Sequence, residues 1–317
     1  MRLTCLTCIC AAFFAAASTA CAAKGHSDVS ADEMKKIEAA LPSTAPAKPA
    51  KARKILVFDL TEGFHHDSIP CGDAAFDLMG KKTGAYTVTI SHDMKVFTPK
   101  NLAKYDAVLF NNTTQLKFND PKQREALLDF VKGGKGFIGI HAASDNFPTW
   151  PEAVEMIGGQ FNGHPWGAGG CGAKETDGWA IKNNDPDHIL NKSFGGKGFV
   201  LKDEIYQIKG PYSLDTHREL LSLDMSKERN NVTHKKAKPG HVACGREDGD
   251  DPIAWIKRYG KGRVFYCSLG HRKEIYWNTA VLEHYLAGIQ WALGDLQADE
   301  TPTGKLSNPP KAALSPE

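Results

Sequence analysis

The chain has 317 residues, a formal net charge of +2, and hydrophobic and aromatic shares of 41% and 9%. That composition suits a globular protein with a sizeable core, and the near-balanced charge gives no argument for a nucleic-acid partner. Beyond the first twenty or so residues, no stretch is long and apolar enough to span a bilayer.

In chain order, Arg2, the apolar run 3–17 and the small residues that follow read as a secretory signal over residues 1–22. Ala20-Cys21-Ala22 fits a cleavage site, and Cys21 also raises the alternative of a lipid anchor. Export predicts a periplasmic or secreted protein, with an outer-envelope lipoprotein as the alternative. Residues 23–53 read as a linker, with a helical pattern over 28–40 and a Pro/Ala/Lys tether over 41–53. Residues 54–294 carry the domain. Its opening half alternates: strand 54–60, helix 72–80, strands 86–90 and 106–110, helix 121–131 and strand 136–140. Asp120 is the expected N-cap of the 121–131 helix, with Pro121 in its first position. Shorter strands follow at 179–182, 204–208 and 219–223 between long loops. Regular alternation returns with strands 253–257 and 263–268 and a closing helix at 278–293. The Pro-, Ser- and Lys-rich residues 295–317 read as a disordered tail. The pattern predicts an α/β fold: a doubly wound, mostly parallel sheet with helices on both faces and a loop-rich β elaboration.

Eight cysteines reduce to four in the domain: Cys71, Cys171, Cys244 and Cys267. Four thiols allow three full pairings in an oxidising compartment. The Gly-rich settings of Cys171 and Cys244 favour that pair, and Cys267, in an apolar strand, reads as a core thiol.

The run GFIGIHAASD, 136–145, is the feature that most narrows the chemistry. A buried strand opens directly into His141 and two alanines, as at a nucleophile elbow, but with imidazole at the tip in place of Ser or Cys. A thiolate mechanism of the amidotransferase kind is therefore excluded, and the absence of G-x-G-x-x-G after the first strand and of a Walker sequence sets aside the usual nucleotide sites. Three further loops carry histidine near strand ends: His65 and His66 after the first strand, His164 before Pro165-Trp166, and His271 after the 263–268 strand. Parallel strands bring their carboxyl ends to one edge, so these imidazoles are expected to share a crevice. Imidazole ligates Zn²⁺ and related ions, polarises carbonyls and moves protons near neutral pH. Glu204, at a predicted strand entry, is a candidate ligand or general base. Asp145 is either a site carboxylate or an N-cap, and Trp166 is a candidate platform for a sugar face.

The motifs GFHHDSI, GIHAASD, GGQFNGHP, DEIY and YGKGRVFYCSLGH, followed by a Trp, occur in that order over 54–294 and resemble the trehalose-utilisation (ThuA-like) family. The resemblance implies a flavodoxin-like, class I glutamine amidotransferase-like fold without the amidotransferase nucleophile. It also implies disaccharide use, often beside dehydrogenases that make 3-keto sugars. Carried onto this sequence, it selects His65, His66, His141, His164, Glu204 and His271. The assignment of roles is then His66, His141 and Glu204 as catalytic, His65, His164 and His271 as ligands of a divalent cation such as zinc or manganese, and Trp166 and Asp145 as substrate contacts. The expected activity is isomerisation, elimination or hydrolysis of a keto-sugar or keto-glycoside. A non-catalytic sugar-binding module is the alternative; sequence leaves the sugar, the metal and the oligomeric state open.

Overall fold

Four short apolar runs build the centre of the sheet in a computed structural model that describes residues 26–167, 178–232 and 244–316. The segments expected to be a signal, the Cys21 anchor and the Cys171 half of a disulfide lie outside these residues. Helix α1 (Ala31–Ala40) precedes β1 (Lys54–Phe58), α2 (Ile69–Thr83), β2 (Thr87–Ser91), α3 (Pro99–Leu102), β3 (Ala107–Asn111), α4 (Pro121–Lys132) and β4 (Gly136–Ile140). Then come α5 (Pro151–Ile157), β5 (Gln160–Phe161), β6 (Trp179–Asn183), β7 (Phe199–Leu201), β8 (Ile208–Lys209) and β9 (Arg218–Leu223). The domain closes with β10 (Pro252–Tyr259), β11 (Gly262–Cys267) and α6 (Thr279–Leu293).

Nine strands form one sheet in the order β2-β1-β3-β4-β11-β10-β9-β6-β7, and β5 pairs with β8 alone. From β2 through β11 every pairing is parallel; from β11 through β7 every pairing is antiparallel. The parallel half is the expected doubly wound core, and the antiparallel half is the loop-rich elaboration. Side chains alternate across a strand, so Ile55 and Val57 pack with α1, α2 and α6 on one face. Leu56 and Phe58 pack with α4 and α5 on the other. Parallel strands buried on both faces read as unbroken apolar runs, which is why β1, β3 and β4 are legible as strands. Asp120 caps α4 by accepting the Lys122 N–H at 2.9 Å, with Pro121 at the first turn.

Three expectations are corrected. Residues 41–53 are not a free tether: Leu41 is buried, and the backbone N–H and carbonyl of Ala47 bond the Gln290 side chain at 2.9 and 2.7 Å. The C-terminal residues are not a disordered tail: Ala313 and Asn183 exchange backbone bonds at 2.8 and 3.0 Å, and Ser315 is buried with its N–H on Asp224. A low-complexity segment stays loose only if no neighbour satisfies its backbone, and here the domain supplies the partners. Of the predicted strand 204–208 only Ile208 belongs to a strand, β8, and Glu204 lies in irregular backbone. Cys267 is free and buried, as its apolar strand predicts, and Cys71 is free and buried as well. Cys244 is in a disulfide whose other half is not among the described residues.

Candidate functional site

Three parallel strands deliver one imidazole each to the same edge. β4 ends at Ile140 and the chain turns at once through His141, whose φ is +47°. A non-glycine residue rarely adopts that conformation, and here the surroundings impose it. Tyr266 Oη on β11 donates to the His141 carbonyl at 2.7 Å and is itself bonded to Ser144 Oγ at 2.8 Å. Ala142 and Ala143 are buried behind the turn. The sharp strand-to-turn geometry read from the sequence is present, with imidazole at its tip.

His66 reaches the edge from the loop after β1, and His271 from the loop after β11. The ring centroids of His66, His141 and His271 lie 5.0 to 5.3 Å apart, the pairs crossing at 72–89°. Glu204 completes the group: its Oε1 is 3.2 Å from His271 Nδ1 and 3.8 Å from His141 Nε2, and its Oε2 is 3.1 Å from His164 Nδ1. Ligand-capable atoms of His66, His141, Glu204 and His271 all lie within 4.8 Å of one another.

Second contacts orient this set. His141 Nδ1 lies 2.6 Å from the Ser268 carbonyl. A carbonyl can only accept, so Nδ1 carries the proton and Nε2 presents its lone pair to the cluster. Asp203 is fully buried and accepts the Gly270 and Arg272 N–H groups at 2.7 and 2.9 Å, fixing the backbone on both sides of His271. Gly270 has φ +135°, and a Cβ there would come within 3.0 Å of Ile140 and Tyr276 and 3.2 Å of the His141 Cβ. The two loops can approach this closely only with glycine at that position.

Burial and the group's own members set its charge states. Burial, and then the neighbouring His271, push the His66 imidazole down to about 4; burial followed by His66 and His271 holds His141 well below its ordinary value. Both rings are therefore neutral near pH 7, the state in which imidazole ligates a metal. Burial alone would raise the Glu204 carboxyl, but His164, His271 and His141 outweigh it and keep it far below the usual range, hence ionised. His164 is raised by that same carboxylate against its partial burial. His66 Nδ1 and His141 Nε2 are buried with no hydrogen-bond partner, a cost of about 1–3 kcal/mol for each group that a bound cation would remove. Three imidazoles and one carboxylate are a donor set suited to zinc, manganese or iron.

Above the cluster lies a cavity of about 240 Å³. His66, Glu204, His271, His164 and Asp145 supply its polar lining, and Phe64, Phe161 and Tyr206 its aromatic lining. Two larger surface clefts, about 490 and 550 Å³, do not contain the cluster, although the second touches His271. Asp145 is held by Gln115 Nε2 at 2.8 Å, and burial raises its carboxyl against that bond.

Several expected roles change. His65 is exposed, with Thr61 Oγ1 3.3 Å from its Nδ1, and lies outside the cluster; its neighbour His66 is the inward-facing ring. His141 is fully buried and does not line the cavity; it stands behind the lining residues with its Nε2 in the cluster. His164 pairs with Glu204 and lines the cavity but is not one of the four clustered groups. Trp166 is no sugar platform: it is wholly buried, and its indole N–H donates to the Asn230 carbonyl at 2.9 Å. His271 and Asp145 both line the cavity. Phe64, Phe161 and Tyr206 were overlooked, although each stands inside a motif that supplies a site histidine or Glu204.

Two solved structures share this architecture. A putative ThuA-like protein from Bacteroides uniformis aligns with 21% identity and a TM-score of 0.59, covering 78% of this chain and 94% of its own. A second, from Parabacteroides merdae, aligns with 20% identity and a TM-score of 0.54, covering 81% and 92%. At that identity the likeness shows the fold. No curated protein matches the chain. The ThuA family model, described as trehalose utilisation, matches residues 54–292 and so contains every strand and helix that builds the site. The chain is accordingly a member of the ThuA family, with the carbohydrate-related role that membership brings.

Proposed function

We propose that the protein is an exported enzyme acting on a keto-sugar or keto-glycoside, with a divalent cation, zinc or manganese, held by His66, His141, Glu204 and His271. The observation that carries this reading is the convergence of four ligand atoms within 4.8 Å beneath a small cavity on the carboxyl edge of the parallel strands. Four protein ligands would fill a tetrahedral ion, so Lewis-acid chemistry here would call for an ion that takes a further ligand, as manganese does. The bound cation supplies a Lewis acid for a carbonyl oxygen.

The chain's own groups then divide the remaining work. Glu204, surrounded by imidazoles, is a strong ligand and a poor base, because its proton affinity is low. Asp145, whose carboxyl burial raises, faces the same cavity and takes the proton from the carbon beside the carbonyl. His164, whose imidazole the Glu204 carboxylate biases toward its charged form, hydrogen-bonds the developing oxyanion or the leaving oxygen. The residues 1–22 act as the export signal, and a periplasmic or extracellular site of action follows.

Elemental analysis of the purified protein after loading with zinc or manganese tests the metal centre. The expected result is near-stoichiometric metal in the wild type and little in His141→Ala and Glu204→Ala. A loaded wild-type protein without bound metal overturns the metal-assisted reading.

A further inference from the structure

We infer that the cavity admits a single terminal sugar ring and that Phe64 is the platform for its apolar face; this rests on the carbohydrate reading above. Most of this chain's aromatic side chains are hidden: Phe58, Phe97, Phe110, Phe118 and Phe137 are all fully buried. Phe64 is 66% exposed, the most exposed large hydrophobic side chain among the described residues, and it stands at the lining of the site cavity. Leaving a phenyl ring in water forgoes the stabilisation that burying it would bring.

The ring is not exposed because its loop is loose. Thr114 Oγ1 donates to the Phe64 carbonyl at 2.8 Å, and the Glu62 N–H donates to the Thr114 carbonyl at 2.9 Å. A Cβ on Gly63 would lie 2.3 Å from Gln115 Cγ, so the loop is pressed onto the residue that holds Asp145. The Phe64 ring stands edge-on to His66, centroids 4.8 Å apart at 81°. The structure thus fixes an exposed aromatic face beside a polar floor.

That combination has the chemistry of a sugar ring. Pyranose C–H groups pack on an aromatic face, while hydroxyls need charged or polar partners, here Asp145, His164 and Glu204. Phenylalanine has no polar tip, so Phe64 contributes contact area alone. The volume of about 240 Å³ falls below the ~300–1,000 Å³ of drug-sized ligand sites. One ring fits inside, and a second must remain in solvent.

The test compares metal-loaded wild-type protein with Phe64→Ala and Phe64→Trp, using D-glucose, methyl α-D-glucopyranoside and trehalose in calorimetric or saturation-transfer NMR titrations. The expected result is at least a tenfold weaker affinity in Phe64→Ala and recovery in Phe64→Trp, with bound metal and Tm unchanged in both. Trehalose and the methyl glycoside should bind the wild type within a few-fold of each other. Equal affinity in wild type and Phe64→Ala overturns the platform. Trehalose binding more than tenfold tighter than the methyl glycoside overturns the single-ring site. If the loaded wild type binds none of the three, the single-ring subsite falls, while the metal-assisted keto-sugar reading is decided separately by the metal content above.

Discussion

Asp203 shows how a residue that touches no substrate can govern the site. Its two carboxylate oxygens hold the N–H groups of Gly270 and Arg272, so the intervening His271 has little freedom. Burial pushes its own carboxyl up to about 7, against those two bonds. Asp203→Ala should lower zinc affinity about 10–100-fold, as loss of an orienting group around a metal ligand does. It should also destabilise the fold by about 2–4 kcal/mol, because N–H groups are left without acceptors. Asp203→Asn keeps one acceptor oxygen and should recover part of both. Chelator competition and denaturant unfolding check the pair; unchanged metal affinity in Asp203→Ala would show that His271 is positioned by other contacts. The neighbouring histidines of the first loop make the complementary point. Sequence marks His65 and His66 as a pair, but only the packed loop turns one of them inward.

Among the elements, α1 and the segment after it differ most from what their composition suggests. The alanine, proline and lysine of 41–53 read as spacer, and α1 before them as part of the same linker, yet α1 is fastened to the domain. Ser30 and Glu33 form a capping box at its start, and Glu33 also reaches Lys273 at 3.1 Å in the segment after His271. Ile37 is completely buried among the residues of one core face. Ile37→Ala should therefore cost about 2–5 kcal/mol, the range for emptying a packed site of a large aliphatic side chain. A true tether would lose nothing. Urea unfolding distinguishes the two, and a change below about 0.5 kcal/mol would mean that α1 does not belong to the cooperative unit. The strands of the parallel core were legible because burial on both faces makes them continuous apolar runs. The antiparallel half was read less well, since its strands are short and its pairing partners lie far away in sequence.

At the scale of the whole molecule, burying neutral histidine couples folding to pH. His217 and His284 lie outside the site and are fully buried. Burial, with Lys257 adding to it, drives His217 down to about 3, and burial holds His284 at about 4. An unfolded histidine titrates near 6.5. Both folded values lie below the unfolded one, so stability is complete above about pH 6.5 and falls as pH drops toward 3–4, because the unfolded chain binds protons that the fold excludes. At pH 5.5 the loss is about 1.4 kcal/mol for each histidine. His284→Gln, which can still donate to the Leu190 carbonyl that His284 Nδ1 meets at 2.8 Å, should show a shallower fall of Tm between pH 7 and 5.5. Parallel curves for variant and wild type would sink this account.

Local chemistry determined much of this protein in advance. Apolar runs and capping residues specify the strands and helices of a doubly wound core, and five ordered motifs specify the family. A histidine directly after β4 removes thiol chemistry from the site. What only the tertiary structure decided is which groups meet. The parallel register brings loops two hundred residues apart in sequence onto one edge. It buries Trp166 as core, selects His66 over His65 and surrounds Glu204 with imidazoles. It also presses the two ends of the described chain onto the domain. Those outcomes depend on long-range packing and on the satisfaction of buried polar atoms, neither of which is encoded by any residue together with its neighbours in sequence.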